Sequence, residues 1–215
     1  VLRPAGAWGD KMERALAARW SQLGGQVASS VNYTGRDDYS ASIKSGLGLE
    51  LSESRKRRLR DMLATNVEFT PRRRQDLDVV FMLSRNGPEA RSVKPLLAFH
   101  YAGQLPVYAP SSVYSGKPDS RDVDLNGINL VDLPWLLGSN PALRAELATA
   151  GSSHYARLNA LGVDAYRLQT RFRQLQGGPD ALIRGDTGLL TMNSRLQIAR
   201  ELPPATFDGS VIKPR

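Results

Sequence analysis

The chain has 215 residues, of which 41% are hydrophobic and 23% charged, so it is a globular and not a disordered sequence, long enough for one large domain or two small lobes. It contains no cysteine and only two histidines, which excludes a disulfide framework, a thiolate nucleophile and a Cys-based or histidine-rich metal site. The net charge is +8, and most of it comes from eight basic residues, against two acidic ones, between Arg55 and Arg74.

The first elements in chain order are a strand end and an amphipathic helix. Turn residues follow Val1 and Leu2 at once, which is the pattern of a strand whose beginning is missing, so we expect the chain to be a fragment of a longer protein. Apolar residues then recur at helical spacing over 12–23, which predicts a helix capped by Asp10 and ended by two glycines. Residues 26–33 predict a strand, and residues 39–47 predict a second, weaker helix.

Residues 50–64 predict a helix with an apolar side against the sheet and a basic side in water. The apolar side would be Leu51, Leu59, Met62 and Leu63. The basic side forms a candidate partner patch of Arg55, Arg57, Arg58 and Arg60. The alternative is a solvated surface that only keeps the protein soluble.

The middle of the chain predicts a parallel sheet. Residues 77–83 are apolar on both faces, as in a strand buried inside such a sheet. A helix kinked by Pro95, a short strand at 105–109, a long loop at 110–124 and a strand at 128–132 follow. This alternation up to about residue 135 predicts an α/β fold, with a doubly wound parallel sheet and right-handed crossovers.

The character of the chain changes after residue 135. Apolar residues with the best helical periodicity of the sequence extend over 158–175. Turn pairs at Asn193-Ser194 and Asp208-Gly209 then predict two antiparallel hairpins. We therefore expect residues 1–135 to form one Rossmann-like lobe and the antiparallel tail to belong elsewhere.

Four turns follow the predicted strands at one edge of the sheet, where open α/β sheets bind their ligands. The candidate cleft residues in these turns are Ser84, Arg85, Ser111, Ser112, Tyr114, Asp132 and Trp135. They offer hydroxyls, a cation, a carboxylate and aromatic faces, which suffice for a polar organic ligand. The alternative is that the serines and the aspartate stand there for turn formation.

Catalytic and nucleic-acid motifs are absent from the sequence. There is no G-x-S-x-G elbow or phosphate-binding loop, and we expect His100 and His154 to be surface or capping residues, not bases with a partner in a cleft. No aromatic residue is interleaved in the basic runs, so we expect no nucleic-acid partner. We predict no catalytic residue, no metal and no cofactor.

Several segments of the sequence, taken together, are specific to one protein family. The strongest are the run from Arg91 to Ala109 and Leu133-Pro134-Trp135. Further segments lie at residues 4–9, 54–58, 73–81, 124–128 and 161–166. Together they resemble the carboxy-terminal domain of the LppC lipoprotein family of penicillin-binding-protein activators, and the resemblance covers nearly the whole chain.

The resemblance implies a type I periplasmic-binding-protein-like fold of two α/β lobes. Residues 1–135 would be the second lobe, and residues 136–215 would be crossover helices and a β tail completing a first lobe that is mostly absent. The implied protein is a non-catalytic lipoprotein on the periplasmic face of the outer membrane of a Gram-negative bacterium, and its only implied membrane contact is a lipid anchor outside this segment.

The implied partner is a class A penicillin-binding protein in peptidoglycan synthesis, with peptidoglycan as a second candidate. The other hypothesis that the fold leaves open is a solute receptor that clamps a small polar ligand between its lobes. The resemblance identifies no partner surface at the level of residues.

Overall fold

A parallel sheet forms the centre of the fold in the computed structural model, which describes residues 1–65, 68–149, 155–178 and 181–215. Its parallel strands are β1 (Leu2–Pro4), β2 (Val31–Tyr33), β3 (Val80–Phe81), β4 (Val107–Tyr108) and β5 (Ile128–Val131). A bridge between Leu2 and Met82 places β1 beside β3, so the strand order is β2-β1-β3-β4-β5. This is a doubly wound order, and it confirms the predicted parallel sheet.

Four helices connect these strands: α1 (Ala7–Gln22), α2 (Tyr39–Gly46), α3 (Leu49–Leu63) and α4 (Gly87–Phe99). Helix α1 begins before the predicted stripe, so Asp10 lies in its first turn and is not the cap. A side chain at Gly9 would overlap the carbonyl oxygen of Pro4, so this glycine lets α1 lie against β1. The strand predicted over 26–33 shrinks to its last three residues.

The chain leaves the main sheet after β5 and returns near its end. Helices α5 (Pro141–Thr149) and α6 (Ala156–Leu175) precede a small antiparallel sheet of β6 (Leu182–Arg184), β7 (Leu189–Met192) and β8 (Ile198–Glu201). The last two strands are β9 (Pro204–Asp208) and β10 (Val211–Pro214). Both predicted hairpins are confirmed.

The carboxy-terminal hairpin corrects one expectation. Strand β9 pairs antiparallel with β5, so Asn129 lies opposite Thr206, and β10 pairs with β9 at the edge of the same sheet. The expectation that the antiparallel tail lies apart from this sheet is therefore wrong for residues 204–214. The division of the chain between two lobes at residue 135 stays a prediction.

Two groups of buried apolar side chains reflect this path. The large core lies on both faces of the main sheet and includes Met82, Ile128 and Phe207, each at most 1% exposed. A small core of Leu175, Ile183 and Leu190 lies between α6 and the antiparallel sheet. Among the described helices, none is long and apolar enough to cross a membrane.

Candidate functional sites

Hydrogen bonds join the turns at the carboxyl edge of the sheet, where the candidate cleft residues lie. The Arg85 guanidinium donates to the carbonyl oxygen of Ala5 at 2.8 Å, which ties the turn after β3 to the turn after β1. The Ser112 hydroxyl donates to the carbonyl oxygen of Ser84, also at 2.8 Å, which adds the turn after β4. The predicted convergence of these turns is therefore present.

Arg157, in the first turn of α6, completes this network. Its guanidinium donates to the carbonyl oxygens of Ser111 and Tyr114 at 2.9 and 3.3 Å and to Asp132 Oδ2 at 2.8 Å. The Asp132 side chain is 1% exposed, and burial raises the pKa of its carboxyl although Arg157 acts in the opposite direction. The sequence around Arg157 carries no signal for this role, because nothing near it in the chain indicates a partner 25 residues away.

Two of the candidate cleft residues belong to the core. Tyr114 and Trp135 are 5% and 2% exposed, so neither presents an aromatic face at the sheet edge. The Tyr114 ring meets the Phe207 ring edge-on at 5.9 Å, and burial raises the pKa of the Tyr114 phenol. Trp135 is held through its backbone, with its carbonyl oxygen accepting from Arg144.

The edge keeps two polar groups that no described residue satisfies. They are the hydroxyls of Ser84 and Tyr33, which are buried beside each other and make no hydrogen bond of standard geometry to a described residue. Burial raises the pKa of the Tyr33 phenol. Arg85 remains exposed, although its backbone N–H donates to the Glu89 carboxylate at 2.5 Å.

Two further buried aspartates hold the segment between β6 and β7. Asp186 accepts hydrogen bonds from Asn140 Nδ2 at 2.6 Å and from Arg167 at 2.7 Å. Asp164 accepts from the backbone N–H groups of Asp186 and Thr187 at 2.8 and 2.6 Å. Because both carboxylates are bonded to the protein, they act as structural anchors. The described residues include no group of three His, Asp or Glu side chains that could hold a metal ion.

His100 forms the one serine–histidine contact in the described hydrogen-bond network. Its Nε2 lies 2.7 Å from Ser40 Oγ, which joins the end of α4 to α2. The residue is the carboxy-terminal cap of α4, as predicted, but it is 3% exposed and so is not a surface residue. A substrate has no access to a ring buried to this extent, which favours a structural role. His154 lies outside the described residues.

Stability should depend on pH through His100. Burial lowers the pKa of His100, with Lys44 acting in the same direction and Glu53 opposing it. The unfolded chain therefore takes up the proton first as the pH falls below about 6.5, and stability present above that pH is lost. We expect urea midpoints to fall between about pH 7 and pH 5, and His100→Gln to flatten that slope. Equal slopes in the two proteins would contradict this.

The basic surface of α3 stands largely free of the rest of the chain. Arg55, Arg57, Arg58 and Arg60 are all exposed, and only Arg60 has an ion-pair partner, Asp61 at 3.8 Å, among the described residues. The helix itself is confirmed, and its first turn is anchored by Leu49 and Ser52, which are 2% and 4% exposed.

The apolar side predicted for α3 is wrong. Leu51, Leu59, Met62 and Leu63 are 68%, 48%, 80% and 59% exposed, respectively. The spacing indicates a helix with an apolar stripe, but only the first turn of that helix lies against the body of the protein. The four side chains therefore form, together with the arginines, an exposed basic and apolar surface.

A family model described as "LppC putative lipoprotein" matches residues 1–209. The chain belongs to the LppC family. It is a lipoprotein family of the Gram-negative envelope. The match confirms the family resemblance found in the sequence. The parallel sheet, together with the similar solved structures described below, confirms the predicted fold class.

Among LppC relatives, the penicillin-binding protein activator LpoA of Klebsiella pneumoniae is 30% identical over 225 residues, which cover 100% of this chain and 32% of that protein. The activator LpoA of Aliivibrio fischeri is 29% identical over 207 residues, covering 94% of this chain and 34% of that protein. The chain therefore spans about a third of the length of these relatives, which are named as activators and not as enzymes.

Solved structures show the same fold at low identity. The LpoA C-domain from Haemophilus influenzae, described as a regulator of PBP1A, superposes with a TM-score of 0.67 at 20% identity, covering 100% of this chain and 60% of that one. The leucine binding protein LivK from Thermotoga maritima gives a TM-score of 0.52 at 14% identity, covering 100% and 58%. The LppC chain thus shares its fold with solute-binding proteins.

Proposed function

We propose that this chain is a non-catalytic part of an outer-membrane lipoprotein that activates a class A penicillin-binding protein from the periplasmic side. The observation that carries the proposal is the family match over residues 1–209, together with relatives that are named as activators. The partner is then a peptidoglycan synthase, contacted through protein surface. Peptidoglycan itself is a second candidate for contact.

The chemistry of the described residues supports a role without catalysis. The buried carboxylates of Asp132, Asp164 and Asp186 are all bonded to protein groups, so none is free to act as an acid or base. The Ser40–His100 pair is buried, and no described carboxylate orients the ring through its second nitrogen. An activator that works by contact needs none of these groups to turn over a substrate.

We propose that residues 136–203 belong to a first lobe. The rest of that lobe would be formed by polypeptide outside these 215 residues. Three apolar side chains of α6 and β8 support this: Leu161, Phe172 and Ile198 are 53%, 40% and 44% exposed. They lie around a cavity of about 770 Å³ between α6 and the antiparallel sheet. Exposed apolar surface of this kind is usually covered by another part of a protein.

The activation proposal is tested by adding the purified chain to a purified class A penicillin-binding protein that polymerises and cross-links its lipid-linked substrate. We expect the rate of glycan synthesis, of cross-linking, or of both to rise with chain concentration and then to saturate. Heat-unfolded chain is the control. A rate that stays flat over concentrations at which the two proteins bind would contradict the proposal.

The solute-receptor alternative is supported by one feature of the sheet edge. The buried Ser84 and Tyr33 hydroxyls, which lie beside each other, are near the β1/β3 switch point, where flavodoxin-like sheets bind ligands. The burial of Tyr114 and Trp135 stands against it. Calorimetry with amino acids and short peptides separates the two functions, because micromolar binding would favour the receptor.

A further inference from the structure

A cavity of about 1010 Å³ lies between α3 and the extended segment 71–76. It will be called the arginine cavity. Four arginines line it, Arg55, Arg72, Arg73 and Arg74, against a single acidic residue, Asp76. Leu51 and Tyr101 add apolar and aromatic surface to the wall.

Local structure holds the two walls of the arginine cavity in place. Gly48 has a φ of 68°, a left-handed conformation that favours glycine, and it makes the corner between α2 and α3. The backbone N–H of Arg74 donates to the carbonyl oxygen of Leu47 at 2.8 Å. The backbone N–H of Arg72 donates to Ser52 Oγ at 3.3 Å. The segment therefore runs along α3 at a fixed distance.

The guanidinium groups of the arginine cavity differ in their hydrogen-bond and ion-pair partners. Arg74 pairs with Asp76 at 2.5 Å, and its hydrogen bond lowers the pKa of that carboxyl. Arg73 donates to the carbonyl oxygen of Arg74 at 2.9 Å. Within the described residues, the side chains of Arg55 and Arg72 have neither a hydrogen-bond nor an ion-pair partner. Two cations thus remain open to an anionic ligand.

The surface beside the arginine cavity is not purely electrostatic. Leu51 lines the cavity and is 68% exposed. Met62 lies outside the lining, three turns further along the same side of α3, and is 80% exposed. Phosphate or a charged polymer gains nothing from these side chains. A peptide that carries both carboxylates and apolar side chains would satisfy the guanidiniums and cover the apolar atoms as well.

We propose that the arginine cavity binds an acidic peptide segment of a partner protein. Carboxylates of the segment pair with Arg55 and Arg72, and its apolar side chains cover Leu51 and Met62. The inference rests on the proposed function only for the identity of the partner, which would be the penicillin-binding protein. The binding of an acidic peptide does not depend on it.

The test measures fluorescence anisotropy with a labelled peptide of glutamate and interspersed leucine. We expect the double variant Arg55→Ala, Arg72→Ala to bind this peptide at least about tenfold more weakly than the wild type. The matched control is Lys11→Ala, Arg14→Ala, which removes the same charge from exposed positions of α1, outside both the cavity lining and the α3 patch. It should change the affinity by no more than about twofold.

Two results would overturn the inference. One is an equal loss in the two double variants, which would show that net charge alone attracts the peptide. The other is tripolyphosphate, or a peptide of glutamate and serine, binding as tightly as the leucine-containing peptide. Circular dichroism of both variants checks that α3 is still folded.

The synthase assay separates this inference from the proposed function. A wild-type chain that stimulates the synthase without binding the peptide overturns the cavity inference and leaves the function standing. A wild-type chain that binds the peptide but does not stimulate the synthase overturns the proposed function and leaves the cavity inference standing.

Discussion

Replacing Arg157 by alanine is expected to destabilise the chain by about 2 kcal/mol, because the Asp132 carboxylate then stays buried without its counter-charge. The Asp132 side chain is 1% exposed, and that of Arg157 is 42% exposed, so solvent reduces the effect below that of a fully buried pair. The loss also removes the hydrogen bonds to Ser111 and Tyr114 that fasten α6 to the sheet edge. Urea unfolding followed by circular dichroism measures it.

The pH dependence of the stability of Arg157→Ala identifies the cause of its stability loss. Burial already raises the pKa of Asp132, and removal of Arg157 raises it further. A raised carboxyl pKa means that stability is lost as the pH rises through the native value, so the deficit of Arg157→Ala should be larger near pH 7 than near about pH 4. The double variant Asp132→Asn, Arg157→Ala should recover part of it. If the double variant is no more stable than Arg157→Ala, the loss of stability is not caused by an uncompensated charge on Asp132.

Reversing the charge of the α3 patch is expected to slow partner binding. In the variant Arg55→Glu, Arg57→Glu, Arg58→Glu, we expect the association rate constant with a class A penicillin-binding protein to fall about tenfold to a hundredfold at low salt. The dissociation rate should change less, because exposed charges act mainly on the encounter of two proteins. Added salt should weaken wild-type binding and reduce the difference in association rate constant between the wild type and the variant. Surface plasmon resonance gives both rate constants.

A charge-matched control distinguishes the patch from net charge. Lys11, Arg14 and Arg19 are exposed on α1, and their replacement by glutamate changes the charge of the chain by the same amount. This control should leave the association rate within about threefold of the wild type. An unchanged rate in the α3 variant, or an equal fall in both, removes the patch from the mechanism and leaves the solvated-surface explanation.

The sheet could be predicted from the sequence because its signals are local. The apolar run at 77–83 indicates a strand buried on both faces, and β3 does lie between β1 and β4. The Asp208-Gly209 pair marks the turn of the last hairpin, where Gly209 has a φ of 61°. Periodicity and turn chemistry need no knowledge of distant residues.

Contacts between distant segments could not be predicted. Helical spacing shows that the apolar residues of α3 share a face, but it does not show whether anything covers that face. The sequence places Asp132 in a polar turn, whereas its partner Arg157 lies on a helix with no local signal for the contact. The buried positions of Tyr114 and Trp135 depend in the same way on the packing of neighbouring elements.

The pairing of β5 with β9 has a consequence for synthesis on the ribosome. Strand β5 ends at Val131 and β9 begins at Pro204, so the intervening residues must be made before the pair can form. At ribosomal rates that delay is roughly 4–15 s. During it, β5 exposes the backbone N–H and C=O groups of an edge strand, together with Ile128 and Leu130 that β9 later helps to bury. Pairing with β9, which lies near the carboxy-terminal end of the chain, ends that exposure.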